Sequence, residues 1–401
     1  MKLHRVLVEA IVDSLYQIFA EQRYADKVIE KTLKSNKKWG SRDRGFIAES
    51  VYDIVRNWRL LSYLIGSEER AILQLGDIFG VWYQLKYNDL PNWAEFDGID
   101  FSQIMQRKAI ADQQLALKYS IPDWLNEHCQ QELGATWETE LAALNNMAAV
   151  ILRANTLKTD VISLQKALAA ENVATEILHD TPDALRLLER KSLFSSTLFQ
   201  SGHFEVQDAG SQWIARTLDV VPGMRVIDAC AGAGGKTLHL SALMENKGLI
   251  VAMDIEEWKL TELKKRAKRA GAFNIENRWI ESNKTIKRLH GTADRLLLDV
   301  PCSGLGVLKR NPDTKWKLQP DFLTQVCETQ GKILDKYSKM LRKEGKMVYA
   351  TCSILPSESE KQVQHFLQQQ DGRFELVEEK RCSPSLHGYD GFYMATLKKV
   401  I

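Results

Sequence analysis

The sequence predicts an α/β protein in which a doubly wound domain follows an all-α domain and a small α+β module. Up to about residue 134 the apolar residues recur at helical spacing, and glycines are few. From Gln207 onward, short apolar runs alternate with helical stretches at the spacing of a largely parallel, helix-covered sheet. We place the three domains at residues 1–140, 141–206 and 207–401.

Composition narrows the class of protein without identifying it. A chain of 401 residues exceeds what one hydrophobic core usually organises, which favours several domains. Hydrophobic residues make up 44% and charged residues 26%, as in soluble globular proteins, and no apolar stretch has the length of a membrane span. Residues Met1–Leu15 predict an amphipathic helix and not a secretion signal, so we expect a cytoplasmic protein.

Net charge and cysteine content do not identify the class of protein. A net charge of +2 neither indicates nor excludes a nucleic-acid partner, so any phosphate-binding surface must come from local clusters of Lys and Arg. The six cysteines lie far apart, with no Cys-x-x-Cys pair and no Cys/His cluster at zinc-ligand spacing. We therefore expect neither a disulfide framework nor a bound metal.

Helical periodicity defines the first domain. Pro122 stands where it can open a helix over Asp123–Leu133, and Ser41 can cap a helix that runs through Ser41–Ile65. Three arginines accompany the apolar stripe of the helix predicted over Ser41–Ile65: Arg42, Arg44 and Arg56. They form either a solvated face or a contact with RNA, and the pattern alone leaves both interpretations open.

The second region changes to short alternating segments. Ala149–Arg153 and Ala184–Leu188 have the alternation of strands, and Val161–Ala170 between them has that of a helix. This pattern predicts a small α+β module of the ferredoxin or RRM-like kind.

Seven strands are predicted in the last domain, and the final two can pair as an antiparallel hairpin at the end of the sheet. They are Arg225–Ala229, Leu249–Asp254, Arg278–Ile280, Arg295–Asp299, Lys346–Ala350, Phe374–Glu378 and Phe392–Leu397.

A run of small residues follows the first of these strands and precedes a helix. It is not a phosphate loop, because Cys230 stands where the first glycine is needed, and it is not a dinucleotide fingerprint, because Thr237 replaces the third. Asp254 ends the next strand, where a carboxylate can bind ribose hydroxyls. A nucleoside-type ligand such as S-adenosylmethionine fits this pattern. The residues of the loop are Cys230, Ala231, Gly232, Ala233, Gly234, Gly235 and Lys236.

Two further strands each end near a cysteine, Cys302 after Asp299 and Cys352 after Thr351. In a doubly wound sheet these ends meet at one edge, beside the cofactor loop. Carbon 5 of cytosine is too weak a nucleophile to accept a methyl group until a thiolate has added to carbon 6. Asp299 is placed to hydrogen-bond the edge of the ring. Residue chemistry alone does not decide which cysteine attacks.

At these motifs the chain resembles the Sun/Fmu family of RNA cytosine-C5 methyltransferases. The resemblance runs from about Leu152 to Ile401. It implies a Rossmann-like class I methyltransferase domain, with Cys352 as nucleophile and Cys302 assisting product release. The first domain looks like an antitermination-factor-type RNA-binding domain. The motifs that carry the resemblance are Leu152–Lys158, Gln207–Gln212, the cofactor loop, Asp299–Gly304, Arg310–Asp313, Thr351–Ser353 and Asp390–Phe392.

The resemblance also implies that the loop from Cys230 to Lys236, together with Asp254 and Asp299, lines the cofactor pocket. Where the family carries an acid after the third strand this chain has Ser282, with Glu281 or Asn283 as alternatives.

Two basic segments are candidates for RNA contact. Near the Pro-Cys loop we expect Lys309, Arg310 and Lys315 to hold phosphates beside a base flipped out of the RNA. The helix with Lys264, Lys265, Arg266, Lys268 and Arg269 is more typical of a solvated outer face than of an RNA contact.

We therefore expect an S-adenosylmethionine-dependent RNA cytosine-C5 methyltransferase that acts on ribosomal RNA. A ribosomal subunit precursor is one form in which it could meet that RNA. No membrane or metal partner is expected, and the protein is expected to be a monomer. Two alternatives stay open: a transfer RNA methyltransferase, and an RNA-binding assembly factor with vestigial catalytic groups. A nucleotide hydrolase is disfavoured by the missing first glycine.

Overall fold

The computed structural model describes residues 3–401 and divides into two compact units. The first unit is Met1–Asn146 with Leu308–Pro320, and the second is Met147–Val307 with Asp321–Ile401. Within the described residues, no helix is both long enough and apolar enough to cross a membrane.

The first unit is helical, and its residues from Leu3 to Ile104 contribute to an apolar core that includes Leu7, Ile11, Ile47, Ile54 and Phe79. Its α-helices are Arg5–Phe19, Ala25–Ser35, Ser41–Arg56, Trp58–Leu64, Leu75–Tyr87, Phe101–Ala111, Leu115–Lys118, Asp123–Leu133, Trp137–Leu144 and Thr314–Lys317.

The helix predicted over Ser41–Ile65 is interrupted at Asn57, where the backbone leaves the helical region. Ser41 is the first helical residue and not its cap. Gly40 precedes the helix, and the Asp43 carboxylate accepts a hydrogen bond from the Gly40 N–H at 3.1 Å. This bond satisfies the backbone N–H of the residue before the helix, as the acid at the third helical position does in a capping box.

Neither interpretation of the three arginines holds for all of them. Arg42 is exposed, whereas Arg44 donates hydrogen bonds to the backbone carbonyls of Leu33, Trp39 and Asn36. Arg56 is buried, and its guanidinium donates to the Lys309 carbonyl at 2.8 Å. Arg44 and Arg56 therefore hold backbone segments together within the unit.

The segment Leu308–Pro320 belongs to this helical unit, although the sequence analysis placed it in the domain of residues 207–401. The indole of Trp316 donates to the Val55 carbonyl at 2.7 Å. The Asp313 carboxylate accepts the Ala25 N–H at 3.0 Å, at the first residue of a helix that has no side-chain cap of its own. A carboxylate at a helix N-terminus satisfies a free donor and complements the helix dipole.

The second unit begins with a four-stranded antiparallel sheet in the order β2-β3-β1-β4. The strands are β1 Ile151–Ala154, β2 Thr175–Ile177, β3 Ala184–Leu187 and β4 Phe204–Val206. Two helices, Val161–Ala170 and Thr197–Gln200, accompany them. The Asp160 carboxylate caps the longer helix by accepting the Ser163 N–H at 2.8 Å.

A seven-stranded sheet follows, in the order β10-β11-β9-β8-β5-β6-β7. Its strands are β5 Arg225–Asp228, β6 Leu249–Asp254, β7 Ile275–Trp279, β8 Ala293–Asp299, β9 Leu341–Thr351, β10 Phe374–Cys382 and β11 Phe392–Lys399. The α-helices are Ala209–Thr217, Gly235–Leu243, Glu257–Ala270, Asn283–Lys287, Pro320–Tyr337, Glu360–Gln370 and Pro384–His387.

The five strands from β9 to β7 are parallel, while β11 pairs antiparallel with both β9 and β10. Neighbouring residues of each buried strand face opposite cores: Val226 packs on one side of the sheet and Ile227 on the other. The doubly wound sheet and its terminal hairpin are confirmed.

One strand prediction is wrong in position. The third strand is Ile275–Trp279 and not Arg278–Ile280, and it pairs with β6 from Ile275 opposite Ile250. Its residues are half-buried or exposed because it lies at the edge of the sheet, so no apolar run marks it.

We expect Asp313→Ala to lower the free energy of unfolding of the helical unit by about 1–2 kcal/mol, because it removes a distant helix cap. Urea unfolding followed by far-ultraviolet circular dichroism measures this change. Asp97→Ala, which removes an exposed carboxylate of the same unit, should alter stability by less than about 0.5 kcal/mol. Equal effects of the two substitutions would contradict the capping role.

Candidate active site

The candidate site lies at the carboxyl ends of the parallel strands. Asp228, Asp254 and Asp299 end β5, β6 and β8, and Cys352 follows the last residue of β9. Because these strands are parallel neighbours, their carboxyl ends lie at one edge of the sheet. The order of the strands therefore collects three carboxylates and a thiol from distant parts of the chain.

The small-residue turn after β5 depends on glycine at two positions. Gly232 and Gly234 have φ angles of +54° and +88°, a region that side-chain-bearing residues rarely adopt. A Cβ at Gly234 would stand 2.5 Å from the Leu263 side chain. At Gly232 and Gly235, a Cβ would meet no atom within 4 Å, so open space lies over the turn. The turn is thus shaped for close approach of a ligand to its backbone.

Carboxylates hold both ends of this turn. Asp254 accepts hydrogen bonds from the Gly232 N–H at 2.9 Å and from the Glu256 N–H at 2.8 Å. Asp228 is buried and accepts the Thr237 hydroxyl at 2.7 Å, and its burial raises the pKa of Asp228 to about 7. The turn is therefore fixed to the ends of β5 and β6.

Two arginines, Arg266 and Arg153, donate hydrogen bonds to backbone carbonyls of the turn. Arg266 donates to the Ala233 carbonyl at 2.8 Å and to Glu205 at 2.8 Å, and Arg269 pairs with the same glutamate. Arg153 is buried and donates to the Gly235 carbonyl at 2.8 Å. Part of the basic helix is therefore occupied in holding the cofactor turn, which the prediction of a solvated face did not include.

Lys236 and Asp299 form an ion pair of 2.5 Å between Nζ and Oδ2. Burial of Lys236 acts to lower its pKa, but the charge and hydrogen bond of Asp299 outweigh burial and the net pKa is raised. Lys236 therefore stays an ammonium beside the candidate nucleophiles.

The two cysteines converge as the strand order predicts. Cys302 Sγ lies 2.8 Å from Cys352 Sγ, beyond the roughly 2.05 Å of a disulfide bond, and both are free thiols. The Cys352 N–H also donates to Cys302 Sγ at 3.3 Å. The pKa of Cys302 is raised well above its usual value by the hydrogen bond with Cys352, by burial and by the charge of Glu358.

Glu358 is a residue of this site that the sequence analysis missed. It is fully buried, and its carboxylate accepts hydrogen bonds from Ser303 and Ser353, which directly follow the two cysteines. Thr-Cys-Ser followed by an acid five residues after the serine is a local signal for it. Nothing in that spacing shows that Glu358, and not Glu360, points inward.

Two further predicted site residues are Ser282 and Cys230. Ser282 is exposed after β7, and its hydroxyl accepts the Lys284 N–H at 3.3 Å as the cap of a short helix. Cys230 is half-buried, and burial among carboxylates raises the pKa of its thiol well above the usual value.

The phosphate contacts predicted for Lys309 and Lys315 are contradicted. Both belong to the helical unit and are buried, at 7% and 2% exposure. Lys315 donates to the Arg56 carbonyl at 2.8 Å, and burial lowers its pKa well below the usual value. Nearness to the motif in sequence does not make the Lys315 side chain accessible, because its ammonium is used within the fold. Arg310 is half-buried, and its phosphate contact stays a prediction.

The fold and the site together define a class of enzyme. A doubly wound sheet, an open small-residue turn after its first strand and a carboxylate ending the second suit a nucleoside-type ligand. The chain is a Rossmann-like, S-adenosylmethionine-dependent methyltransferase.

Solved structures share this fold. The crystal structure of PH0851 covers 100% of both chains with a TM-score of 0.84 at 24% sequence identity. A methyltransferase homolog protein from Pyrococcus horikoshii covers 71% of this chain and 98% of its own, with a TM-score of 0.63 and 27% identity.

Sequence comparison identifies the family. Residues 215–398 match the family model of the 16S rRNA methyltransferase RsmB/F, and residues 121–193 match the ferredoxin-like domain of RsmF/B-like methyltransferases. A probable ribosomal RNA small subunit methyltransferase B from Synechocystis sp. is 33% identical over 96% of this chain and 97% of its own. The chain belongs to the RsmB/F family, which confirms the resemblance to the Sun/Fmu family, and it is an RNA methyltransferase.

Gly234→Ala should weaken binding of S-adenosylmethionine at least tenfold, because the new methyl group meets Leu263 and the residue must keep a positive φ. Isothermal titration calorimetry with S-adenosylmethionine measures the affinity. Gly331→Ala, in the helix Pro320–Tyr337, meets only a Gln362 side-chain atom at 3.6 Å and should leave the affinity unchanged. Unaltered binding by Gly234→Ala would show that the turn tolerates a side chain and does not shape the pocket.

Proposed function

We propose that the chain methylates carbon 5 of a cytosine in small-subunit ribosomal RNA through a covalent bond between Cys352 and carbon 6. The observation that carries this proposal is the pair of thiols 2.8 Å apart beside the ion pair of Lys236 and Asp299. The substrate is supported by relatives whose names specify a small-subunit ribosomal RNA methyltransferase.

The reaction explains why a thiol is needed. Carbon 5 of cytosine does not attack a methyl donor unaided, so a nucleophile must first add to carbon 6 and push electrons toward carbon 5. A cysteine thiolate is a strong nucleophile and also a good leaving group, as such a transient bond requires.

The surroundings of the two thiols favour Cys352 as the nucleophile. Cys302 has its pKa raised by Cys352, by burial and by the Glu358 carboxylate, so it stays a thiol. Cys352 is the thiol whose charge interacts with the buried Lys236 ammonium. This difference agrees with the roles that the family resemblance implies.

The pocket is assigned to the turn from Cys230 to Lys236, with Asp254 for ribose hydroxyls, Asp299 at the reacting end and Ser282 near the adenine. S-adenosylmethionine supplies the methyl group as an electrophile when bound. Arg310 is assigned to a phosphate of the RNA. The chain's own residues position the ring, provide the nucleophile and move the protons.

The Cys352 thiolate forms a bond to carbon 6, and the electron pair of the 5,6 double bond becomes available at carbon 5, with Asp299 facing the ring edge. After carbon 5 has gained the methyl group, its hydrogen leaves as a proton to a base. The bond between carbon 6 and sulfur then breaks, which restores the double bond and frees Cys352. Cys302, at 2.8 Å, assists this release.

Cys352→Ala should reduce formation of 5-methylcytosine by about 10³-fold or more, because the addition step loses its nucleophile. Cys302→Ala should instead accumulate a protein–RNA adduct that survives denaturation, because release is impaired. Nucleoside mass spectrometry and denaturing gels measure the two outcomes.

Cys327→Ala provides the matched control, since it removes another half-buried thiol of the same unit and should retain activity within about twofold. Methylation at the wild-type rate by Cys352→Ala would contradict the assignment of the nucleophile.

Substrate choice is tested with four substrates: purified small-subunit ribosomal RNA, reconstituted small subunits, large-subunit ribosomal RNA and bulk transfer RNA. We expect 5-methylcytosine in one or both small-subunit substrates and none in the others. A difference between the first two shows whether the substrate is naked RNA or an assembling particle. Preferential methylation of transfer RNA would overturn the substrate assignment while leaving the chemistry in place.

A further inference from the structure

Glu358 is a fully buried carboxylate with four hydrogen-bond donors around it. Its Oε1 atom accepts the hydroxyls of Ser303 at 2.5 Å and Ser353 at 2.6 Å. Its Oε2 atom accepts the Ser303 N–H at 2.7 Å and the amide of Gln330 at 3.1 Å. Distances near 2.6 Å are typical of hydroxyl donors bonded to an ionised carboxylate.

Three of these four donors belong to the two cysteine turns, and the fourth, Gln330, lies on the helix Pro320–Tyr337. Ser303 is the residue after Cys302, and Ser353 is the residue after Cys352. Gln330, which contacts the same carboxylate, also donates to the Pro301 carbonyl at 3.0 Å, on the other side of Cys302. One carboxylate thus connects two loops that follow different strands, β8 and β9.

Because Glu358 is buried, movement of either cysteine turn away from its carboxylate would be costly. A charge removed from water is costly unless its hydrogen-bonding capacity is met, and here both oxygens are fully engaged. If the two turns moved apart, the carboxylate would lose donors from one of them. The favoured geometry is therefore the one in which both turns stay attached.

We propose that Glu358 is a positioning residue, whose carboxylate holds the turns of Cys302 and Cys352 together and thereby sets the distance between the two thiols. This inference rests on the proposed function for the meaning of that distance, because release requires Cys302 to stand next to the bond between Cys352 and carbon 6. Glu358 itself contacts neither thiol by a hydrogen bond among those described.

The negative charge of Glu358 also affects the Cys302 thiol. It is one of the causes that raise the pKa of Cys302, after the hydrogen bond with Cys352 and burial. The carboxylate that holds the Cys302 turn therefore also disfavours ionisation of the Cys302 thiol.

The test is disulfide cross-linking with diamide, which takes two protons and two electrons from the thiol pair and leaves a disulfide between Cys302 and Cys352. Peptide mass spectrometry gives its rate, and the measurement needs neither RNA nor S-adenosylmethionine. Wild-type protein should cross-link rapidly. Glu358→Gln should cross-link at least tenfold more slowly, because only one of the two polar atoms of its amide accepts hydrogen bonds and the charge that attracts donors from both turns is lost.

Glu360→Gln is the matched control, since Glu360 stands two residues away, is half-buried and pairs with Arg381. It should cross-link at the wild-type rate. Where Glu358→Gln does not fold, the double variant Ser303→Ala with Ser353→Ala removes the two hydroxyl donors and should show the same slowing. Wild-type cross-linking in a folded variant of either kind would overturn the proposal.

Catalysis gives a second readout. Glu358→Gln should lower kcat at least tenfold and leave the KM for S-adenosylmethionine within about twofold, whereas general loss of structure would raise KM as well. Cross-linking decides the positioning role separately from the reaction. If wild-type protein methylates no RNA but the rates still differ tenfold, the proposed function fails and the positioning role stands.

Discussion

The common carboxyl edge of the parallel strands is the constraint on which the whole site depends. Asp228, Asp254, Asp299 and Cys352 come from four strands spread along the chain, and only the order β9-β8-β5-β6 brings their ends together. The strands are held by cores on both faces of the sheet, so the position of the edge is set by apolar packing. Chemistry at the edge then requires only short loops of defined conformation.

Those loops are fixed mainly by buried charges that bind backbone and hydroxyl groups. Asp254, Arg266 and Arg153 each bond the cofactor turn, and Glu358 bonds the turns after the two cysteines. Buried charges are tolerated only where their hydrogen bonds are satisfied, so each also restricts the loop it contacts. Such restriction gives a preorganised site, in which the reacting groups already stand in place before substrate binds.

The sequence predicted what local patterns encode. Buried strands such as Leu249–Asp254 have continuous apolar runs, the helix Val161–Ala170 has its period, and the residues around Cys302 and Cys352 have family motifs. It misplaced β7, an edge strand without an apolar run, and it did not predict the packing of Lys315 in the helical unit. Glu358 was missed because its partners are distant in sequence, and exposed and buried acids look alike in a pattern.

The most direct test of the account is to trap the covalent intermediate on small-subunit ribosomal RNA that contains 5-fluorocytosine. Fluorine at carbon 5 cannot leave as a proton, so the bond between sulfur and carbon 6 should persist after methyl transfer. Peptide mass spectrometry then identifies the attached residue. We expect a nucleotide on the peptide that contains Cys352; attachment at Cys302, or methylation without any adduct, would contradict the assignment of the nucleophile.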